Sequence, residues 1–152
     1  MVGGDRAVLD QYIDLFRSFS QTINYFGPAG SGQNAKMANQ IMVAGTMTGL
    51  TECLVYAKQA GLDLDEVIQT VSNGAAANWS LSNYGPRILK NDYTPGFFVK
   101  HFVKDLRIAL EEADAVHLHL PATTTAKELY EQLMEKGDGD KGTQSLVKLW
   151  WH

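Results

Sequence analysis

The sequence of 152 residues predicts a mainly α-helical domain built around one long central helix. After glycines at positions 27, 30 and 32, a segment without proline runs to Ala60. Its apolar residues recur in steps of three and four, which is the period of one helix face. Gly61 then stands where a glycine commonly ends a helix. The apolar stripe consists of Met37, Ile41, Ala44, Met47, Leu50, Leu54 and Ala57.

Composition narrows the classes of protein to which the chain can belong. Hydrophobic residues make up 45% of it, enough for one packed core, and the net charge of −4 gives no support for a nucleic-acid partner. The single cysteine, Cys53, excludes a disulfide within the chain. No run approaches the roughly 18 apolar residues of a membrane span, and the first residues lack the pattern of a signal peptide. We therefore expect a cytoplasmic protein without a membrane segment.

The first 28 residues differ in character from the rest. Residues 7–20 have an amphipathic pattern, with Asp5 as a possible N-cap, and residues 22–26 read as a short β-run that ends at Gly27. Helix, strand and glycine turn in this order are typical of the end of an α/β unit. We expect residues 1–28 to be the incomplete tail of such a domain, and residues 29–152 to form an all-α domain.

Further helices are predicted after the central one. Asp63 with Glu66 three residues later resembles a capping box, and Asn73 ends that helix. A helix over 75–89 is expected to break near Pro86, because proline lacks an amide donor. A mobile loop is expected at 137–142. The remaining predicted helices cover 97–119, 121–137 and 143–151.

Candidate functional residues begin with Lys36, which shares a helix face with Asn39. From residue type alone, an exposed helix lysine is most often an ordinary surface residue. The glycine spacing before it is not that of a dinucleotide-binding loop, so a tight hinge turn at Gly27, Gly30 and Gly32 is the better interpretation. His117 and His119 point to different sides of a helix, and we expect no metal site.

Two stretches resemble the β-hydroxyacid dehydrogenases, the family of 3-hydroxyisobutyrate dehydrogenase, tartronate semialdehyde reductase and, more distantly, 6-phosphogluconate dehydrogenase. The first is GPAGSGQNAKMANQ at 27–40, which is similar to the hinge of those enzymes, and the second is the pattern from Phe98 to Leu106 that contains Lys104 and Asp105. The resemblance implies a helical C-terminal domain like that of 6-phosphogluconate dehydrogenase. It also implies that residues 1–28 are the last helix and strand of a truncated Rossmann domain.

The resemblance implies roles for individual residues. Lys36 would exchange the proton of the substrate hydroxyl as the catalytic acid and base, and Asn39 would bind the substrate. Part of the family has asparagine where this chain has Gln40, which has the same hydrogen-bonding groups with a longer reach. Lys104 would contact the cofactor with Asp105 orienting it.

Phe98 belongs to the same implied cofactor-binding block as Lys104. A weaker match over residues 74–80 implies that Asn78 and Ser80 contribute hydrogen-bonding groups to the wall of the substrate pocket. The glycines at 27, 30 and 32 would be the hinge.

The implied function is an NAD- or NADP-dependent oxidoreductase that interconverts a 3-hydroxy acid and its semialdehyde. The implied assembly is a homodimer or homotetramer, and the cofactor would be bound mainly by a domain that this sequence does not contain. We therefore expect the chain alone to be inactive. One alternative is a non-catalytic helical dimerisation or interaction domain. A second is a decarboxylating enzyme similar to 6-phosphogluconate dehydrogenase, but no cluster of basic residues for a phosphate is seen near the C-terminus.

Overall fold

The computed structural model describes residues 1–151, and its fold is mainly α-helical, as predicted. By the clustering of its backbone, the chain divides into two compact units, Met1–Gln40 and Ile41–His152. None of the helices described is both long and apolar enough to cross a membrane. The helices are α1 (Arg6–Gln11), α2 (Ile13–Arg17), α3 (Ser31–Gln59), α4 (Leu64–Ser72), α5 (Trp79–Leu89), α6 (Val99–Ala115) and α7 (Pro121–Glu135), followed by a 3₁₀ helix at Thr143–Leu149.

The central helix, α3, confirms the periodicity of the sequence. Six residues of the predicted apolar stripe are buried, and only Ile41 is half-buried. The helix ends at Gln59, and Gly61 closes it as predicted, with a φ of +73° in the left-handed region. There the N–H of Gly61 donates to Lys58 O and the N–H of Leu62 donates to Ala57 O, so the last turn is closed by a Schellman motif.

The first unit pairs two short extended segments in parallel. The N–H of Val2 donates to Asn24 O, and the N–H of Phe26 donates to Val2 O, both at 2.8 Å. The predicted β-run therefore has a partner in the first four residues, to which the sequence assigned no role. The single predicted helix over 7–20 is in fact two short ones separated at Tyr12, and Asp5 caps the first of them as expected.

The second unit is a helical core assembled from the apolar faces of α3 to α7 and the 3₁₀ helix. Its largest fully buried side chains include Tyr130 and Phe102, whose rings meet edge to face with centroids 5.0 Å apart. The hydroxyl of Tyr130 donates to Thr143 O at 3.0 Å, which satisfies the polar end of this buried ring. The predicted cap also forms, because Asp63 Oδ1 accepts from the N–H of Glu66 at 2.9 Å.

The prediction of a break near Pro86 was wrong. Helix α5 continues through it, with Tyr84, Gly85 and Ile88 buried on one face. An added Cβ at Gly85 would lie 3.0 Å from Ile68 Cδ1, so α5 packs closely against α4. This tertiary packing outweighs the one backbone hydrogen bond that proline removes.

The prediction for the following helix was too long at both ends. Helix α6 begins at Val99 and ends at Ala115, and two residues later His117 has a φ of +59°. That left-handed conformation is incompatible with a helix continuing to residue 119.

Residues 137–142, predicted to be a mobile loop, are tied to the start of α6. The N–H of Val99 donates to Lys141 O at 2.9 Å and that of Lys100 donates to Gly139 O at 3.0 Å. These are amides that the first turn of a helix cannot pair internally. The loop therefore caps α6 with its own carbonyl groups.

Candidate functional site

The predicted hinge glycines, Gly27, Gly30 and Gly32, lie in a turn at the start of α3. Gly27 and Gly30 have φ values of +128° and +93°, which side chains rarely adopt. The N–H of Ser31 donates to Pro28 O at 3.1 Å and closes the turn. Gly32 is different, because it already lies within the first turn of the helix and is buried.

Lys36 lies one helical turn after Gly32 and is exposed. It borders a cleft of about 550 Å³ within the first unit. A lysine at the rim of an open cleft is a donor that a small molecule can reach. The other residues lining this cleft are Met1, Val2, Gly3, Phe16, Gly32 and Gln33.

Two amide side chains follow Lys36 on the same helical face, as the spacing predicts. Asn39 is exposed and Gln40 is buried, with 6% of its surface accessible. Asn39 Nδ2 donates to Gln40 Oε1 at 3.1 Å, so the two amides are coupled. The first unit therefore places the predicted acid/base residue and both predicted substrate ligands on one helix face within little more than a turn.

The second pair of candidates lies on α6. Lys104 Nζ is 2.9 Å from Asp105 Oδ1, and the carboxylate is 2% exposed while the lysine side chain is 51% exposed. A buried carboxylate next to a half-exposed ammonium fixes where that cation lies. The family resemblance implies that Asp105 orients Lys104 toward the cofactor, and that role stays a prediction.

Phe98 occupies the N-cap position of α6 and is half-buried. Its carbonyl accepts from the N–H of Phe102 at 3.0 Å, and its ring stacks edge to face on His101. These contacts make Phe98 part of the start of α6; its predicted role at a cofactor stays a prediction.

Asn78 and Ser80 both have partners within the second unit. Asn78 Oδ1 caps α5 by accepting from the N–H of Leu81 at 2.9 Å, and its Nδ2 donates to Ala76 O. The buried Ser80 Oγ lies 3.0 Å from Thr46 Oγ1. Because Thr46 donates its proton to Val43 O, Ser80 is the donor between the two hydroxyls. These contacts hold α5 in place, and the substrate roles stay predictions.

A second cavity, of about 330 Å³, lies within the second unit and was not predicted. Added Cβ atoms at Gly45 and Gly49 would meet nothing within 4 Å, so α3 leaves open space there. The spacing of these two small residues was the only signal of it in the sequence. The cavity is lined mainly by apolar groups of Met42, Gly45, Thr46, Gly49, Leu50, Cys53, Val71, Ala76, Asn78 and Leu81.

Metal ligands are not grouped in the described part of the chain. Within residues 1–151, no three side chains of histidine, cysteine, aspartate or glutamate lie close enough together to hold one ion.

Comparisons with known proteins agree on one family. Residues 30–150 match the family model described as "NAD-binding of NADP-dependent 3-hydroxyisobutyrate dehydrogenase". A probable 3-hydroxyisobutyrate dehydrogenase-like 1 of Arabidopsis thaliana, named as mitochondrial, is 48% identical over 95% of this chain and 43% of its own length. The 2-hydroxy-3-oxopropionate reductase of Escherichia coli is 37% identical over 97% of this chain and 51% of its own length.

Solved structures show the same fold. The 3-hydroxyisobutyrate dehydrogenase of Mycobacterium tuberculosis, solved with L-serine, superposes with a TM-score of 0.92 at 23% identity, over 100% of this chain and 54% of that one. The chain thus spans about half the length of the relatives that it matches. On the family model, which covers most of its residues, the chain belongs to the 3-hydroxyisobutyrate dehydrogenase family of β-hydroxyacid dehydrogenases.

Proposed function

We propose that this chain is the helical half of an NAD- or NADP-dependent dehydrogenase that oxidises a 3-hydroxy acid to its semialdehyde, or catalyses the reverse reduction. Family membership supports the reaction class, and the names of two relatives indicate 3-hydroxyisobutyrate and 2-hydroxy-3-oxopropionate as substrates to test first. The match to only about half of each relative supports a further domain in the active enzyme, in which residues 1–28 complete a nucleotide-binding fold.

Lys36 is the proposed acid and base. The observation that carries this assignment is its position at the rim of the 550 Å³ cleft, one turn after the glycine turn and on the face that bears Asn39 and Gln40. Oxidation of a hydroxy acid requires that its hydroxyl proton leave while hydride leaves carbon. A lysine amine in hydrogen-bonding reach takes that proton, and in the reduction the ammonium returns it.

Asn39 and Gln40 are the proposed substrate ligands. An amide offers both a donor and an acceptor, so it suits a hydroxyl or a carboxylate. The hydrogen bond between the two side chains fixes their relative orientation, with the exposed Asn39 as the member that reaches a bound molecule. Asn78 and Ser80 are proposed only as more distant parts of the pocket wall.

Lys104 is the proposed contact to the nicotinamide cofactor. The cofactor supplies the hydride acceptor or donor. The half-exposed ammonium of Lys104 suits its oxygen-rich groups, because Asp105 holds the cation in place and leaves half of its surface accessible. Phe98, at the start of the same helix, is proposed as a neighbouring apolar surface. The choice between NAD and NADP rests with the proposed partner domain.

The proposed assembly is a homodimer or homotetramer formed through the helical domain, in the cytoplasm. Large apolar side chains on α3 are exposed, including Met42 at 69% and Tyr56 at 74%, and such residues favour an interface. Size-exclusion chromatography with light scattering of the intact enzyme gives the oligomeric state.

The proposal is tested by the turnover of the intact enzyme with NADH or NADPH and a panel of semialdehydes. Lys36→Ala is expected to lower kcat at least about a hundredfold, the usual contribution of a general acid or base. Lys36→Arg is expected to be similarly slow, because a guanidinium does not release its proton. The matched control is Lys58→Ala, which removes another exposed lysine from α3 and leaves turnover unchanged.

A wild-type enzyme inactive on the whole panel, or a Lys36→Ala variant as fast as wild type, contradicts the proposal. In that case a non-catalytic helical interaction domain becomes the better account. The 152-residue chain alone is expected to show no turnover.

A further inference from the structure

We propose that Gly3 is a positioning residue for Lys36, and that it acts through a backbone contact with Gly32. This inference rests on the proposed function of Lys36, but it assigns a role to a glycine outside the motif that contains that lysine. The contact lies entirely within the first unit.

The two glycines touch through their main chains. An ideal Cβ built on Gly3 would lie 2.6 Å from the backbone N of Gly32, 2.8 Å from Pro28 O and 3.0 Å from the backbone N of Ser31. A Cβ built on Gly32 would lie 2.9 Å from the backbone N of Gly3 and 3.1 Å from Val2 C. All these neighbours are backbone atoms, which cannot rotate away as the end of a side chain can.

The segment that carries Gly3 is itself held on both sides. The N–H of Val2 donates to Asn24 O, and the N–H of Gly4 donates to Gly27 O at 2.9 Å. Tyr25 Oη also donates to Gly4 O at 2.9 Å. Because the segment of Gly3 is held by these hydrogen bonds, we expect an added Cβ at Gly3 to displace the first turn of α3.

The position of Lys36 depends directly on that first turn of α3. It lies four residues after Gly32, hence on the same side of α3, and both residues line the 550 Å³ cleft together with Gly3. The glycine contact thus sets the position of the helix and forms the wall of the cleft that the lysine enters. Misplacing a catalytic group by about 1 Å costs on the order of a hundredfold in rate. A Cβ at Gly3 would lie 2.6 Å from Gly32 N, and one at Gly32 would lie 2.9 Å from Gly3 N, so at either glycine the backbone must shift.

The experiment uses the intact enzyme and a double-mutant cycle of Gly3→Ala with Lys36→Ala. Gly3→Ala and Gly32→Ala are each expected to lower kcat about tenfold to a hundredfold. The loss falls on kcat rather than KM, because the interaction of Lys36 with the departing proton develops in the transition state. The double variant Gly3→Ala/Lys36→Ala is expected to be no slower than Lys36→Ala, since Gly3 acts only through that lysine.

Gly49→Ala is the matched control. It adds the same methyl group to the same helix where nothing lies within 4 Å, and kcat is expected to be unchanged. Thermal unfolding of every variant shows whether it is folded.

The outcomes separate the two claims. If Lys36→Ala keeps wild-type activity, the proposed function fails. If Lys36→Ala is slow but Gly3→Ala and Gly32→Ala are as fast as Gly49→Ala, only the positioning role fails. A double variant slower than Lys36→Ala overturns it too, because Gly3 then acts on more than the lysine. Loss of the folding transition in both glycine variants also overturns it, since the contact is then a requirement of folding.

Discussion

The two candidate lysines of this chain are held in place by different physical means. Lys36 lies on α3, whose first turn is positioned by a close contact between the main chains of Gly3 and Gly32. Lys104 is fixed by charge, through a carboxylate that is 2% exposed at 2.9 Å. The steric contact sets the position of a helix start, whereas the ion pair sets the position of one side chain. In the proposed roles, the helix start positions the residue that exchanges a proton, and the ion pair positions the residue that binds the cofactor.

The largest expected effect separates these two roles. Lys104→Ala in the intact enzyme is expected to raise KM for the nicotinamide cofactor about tenfold to a hundredfold, because a hydrogen bond to a charged group contributes about 1.5–3 kcal/mol. Lys36→Ala instead lowers kcat. Initial rates at varied cofactor and substrate concentrations measure both constants. A Lys104→Ala variant that lowers kcat as much as Lys36→Ala and leaves KM unchanged would contradict the different roles proposed for the two lysines.

The close contact between Gly85 and Ile68 tests how much a steric clash costs when the neighbour is a side chain. At Gly85 an added Cβ would meet the side chain of Ile68 at 3.0 and 3.2 Å rather than a backbone. Overpacking costs about 1–3 kcal/mol, and replacing glycine in a helix returns up to about 1 kcal/mol. Gly85→Ala is therefore expected to lower the free energy of unfolding by up to about 2 kcal/mol in urea titration.

Gly49→Ala serves as its control, and an open site is expected to give a gain of about 0.5–1 kcal/mol. Equal effects at Gly85 and Gly49 would show that the close approach of α5 to Ile68 has no energetic consequence.

The buried hydrogen bond from Tyr130 to Thr143 O allows the contribution of one polar contact to stability to be measured. Tyr130→Phe removes the hydroxyl that donates to Thr143 O, inside a fully buried core. The expected loss is about 1 kcal/mol, the net contribution of one neutral hydrogen bond. Thermal unfolding with a van't Hoff analysis measures it. A variant as stable as wild type would mean that the carbonyl of Thr143 finds another donor at no cost.

The smallest expected effect is a pH dependence of the stability of the fold, which arises from the partly exposed pair of Arg87 and Asp92. Asp92 Oδ2 accepts from Arg87 Nε at 2.8 Å, and this hydrogen bond holds the pKa of the Asp92 carboxyl well below its ordinary range. Because the folded-state pKa is the lower one, the pair stabilises the fold above the ordinary carboxyl pKa of about 4. That stabilisation is lost as the pH falls below that value.

Asp92→Asn is therefore expected to reduce the fall in melting temperature between pH values of about 4 and 2, with no change in slope near neutrality. An unchanged acid slope would assign the acid sensitivity to other carboxylates. Asp140 is one such group, because its hydrogen bond from Lys100 also lowers its pKa.

Much of the fold was predictable because its signals are local. The stripe from Met37 to Ala57, the cap at Asp63 and the left-handed Gly61 each depend on residues within a few positions of one another. The same holds for the shared face of Lys36 and Asn39, which follows from helix geometry alone. The pairing of Lys104 with Asp105 came from the motif.

The features that were missed depend on residues far apart in the chain. No pattern around Gly3 shows that it meets Gly32, because the contact arises only when the first extended segment pairs with the residues before the glycine turn. A helix break was predicted near Pro86, because the packing of its neighbour Gly85 on Ile68 joins residues that are distant in the sequence. The loop at 137–142 has a mobile composition, but its carbonyls complete the first turn of α6.

The central claim, that Lys36 transfers the substrate proton, is tested most directly by single-turnover kinetics of the intact enzyme. The rate of change of nicotinamide absorbance is measured for Lys36→Ala with and without a small alkylamine in solution. We expect a rate at least about a hundredfold below wild type. The rate should recover in part as the amine concentration rises, because a free amine then replaces the missing group in the cleft. A Lys36→Ala variant with a wild-type rate would contradict the claim. A slow variant that no amine of any size restores would contradict it as well.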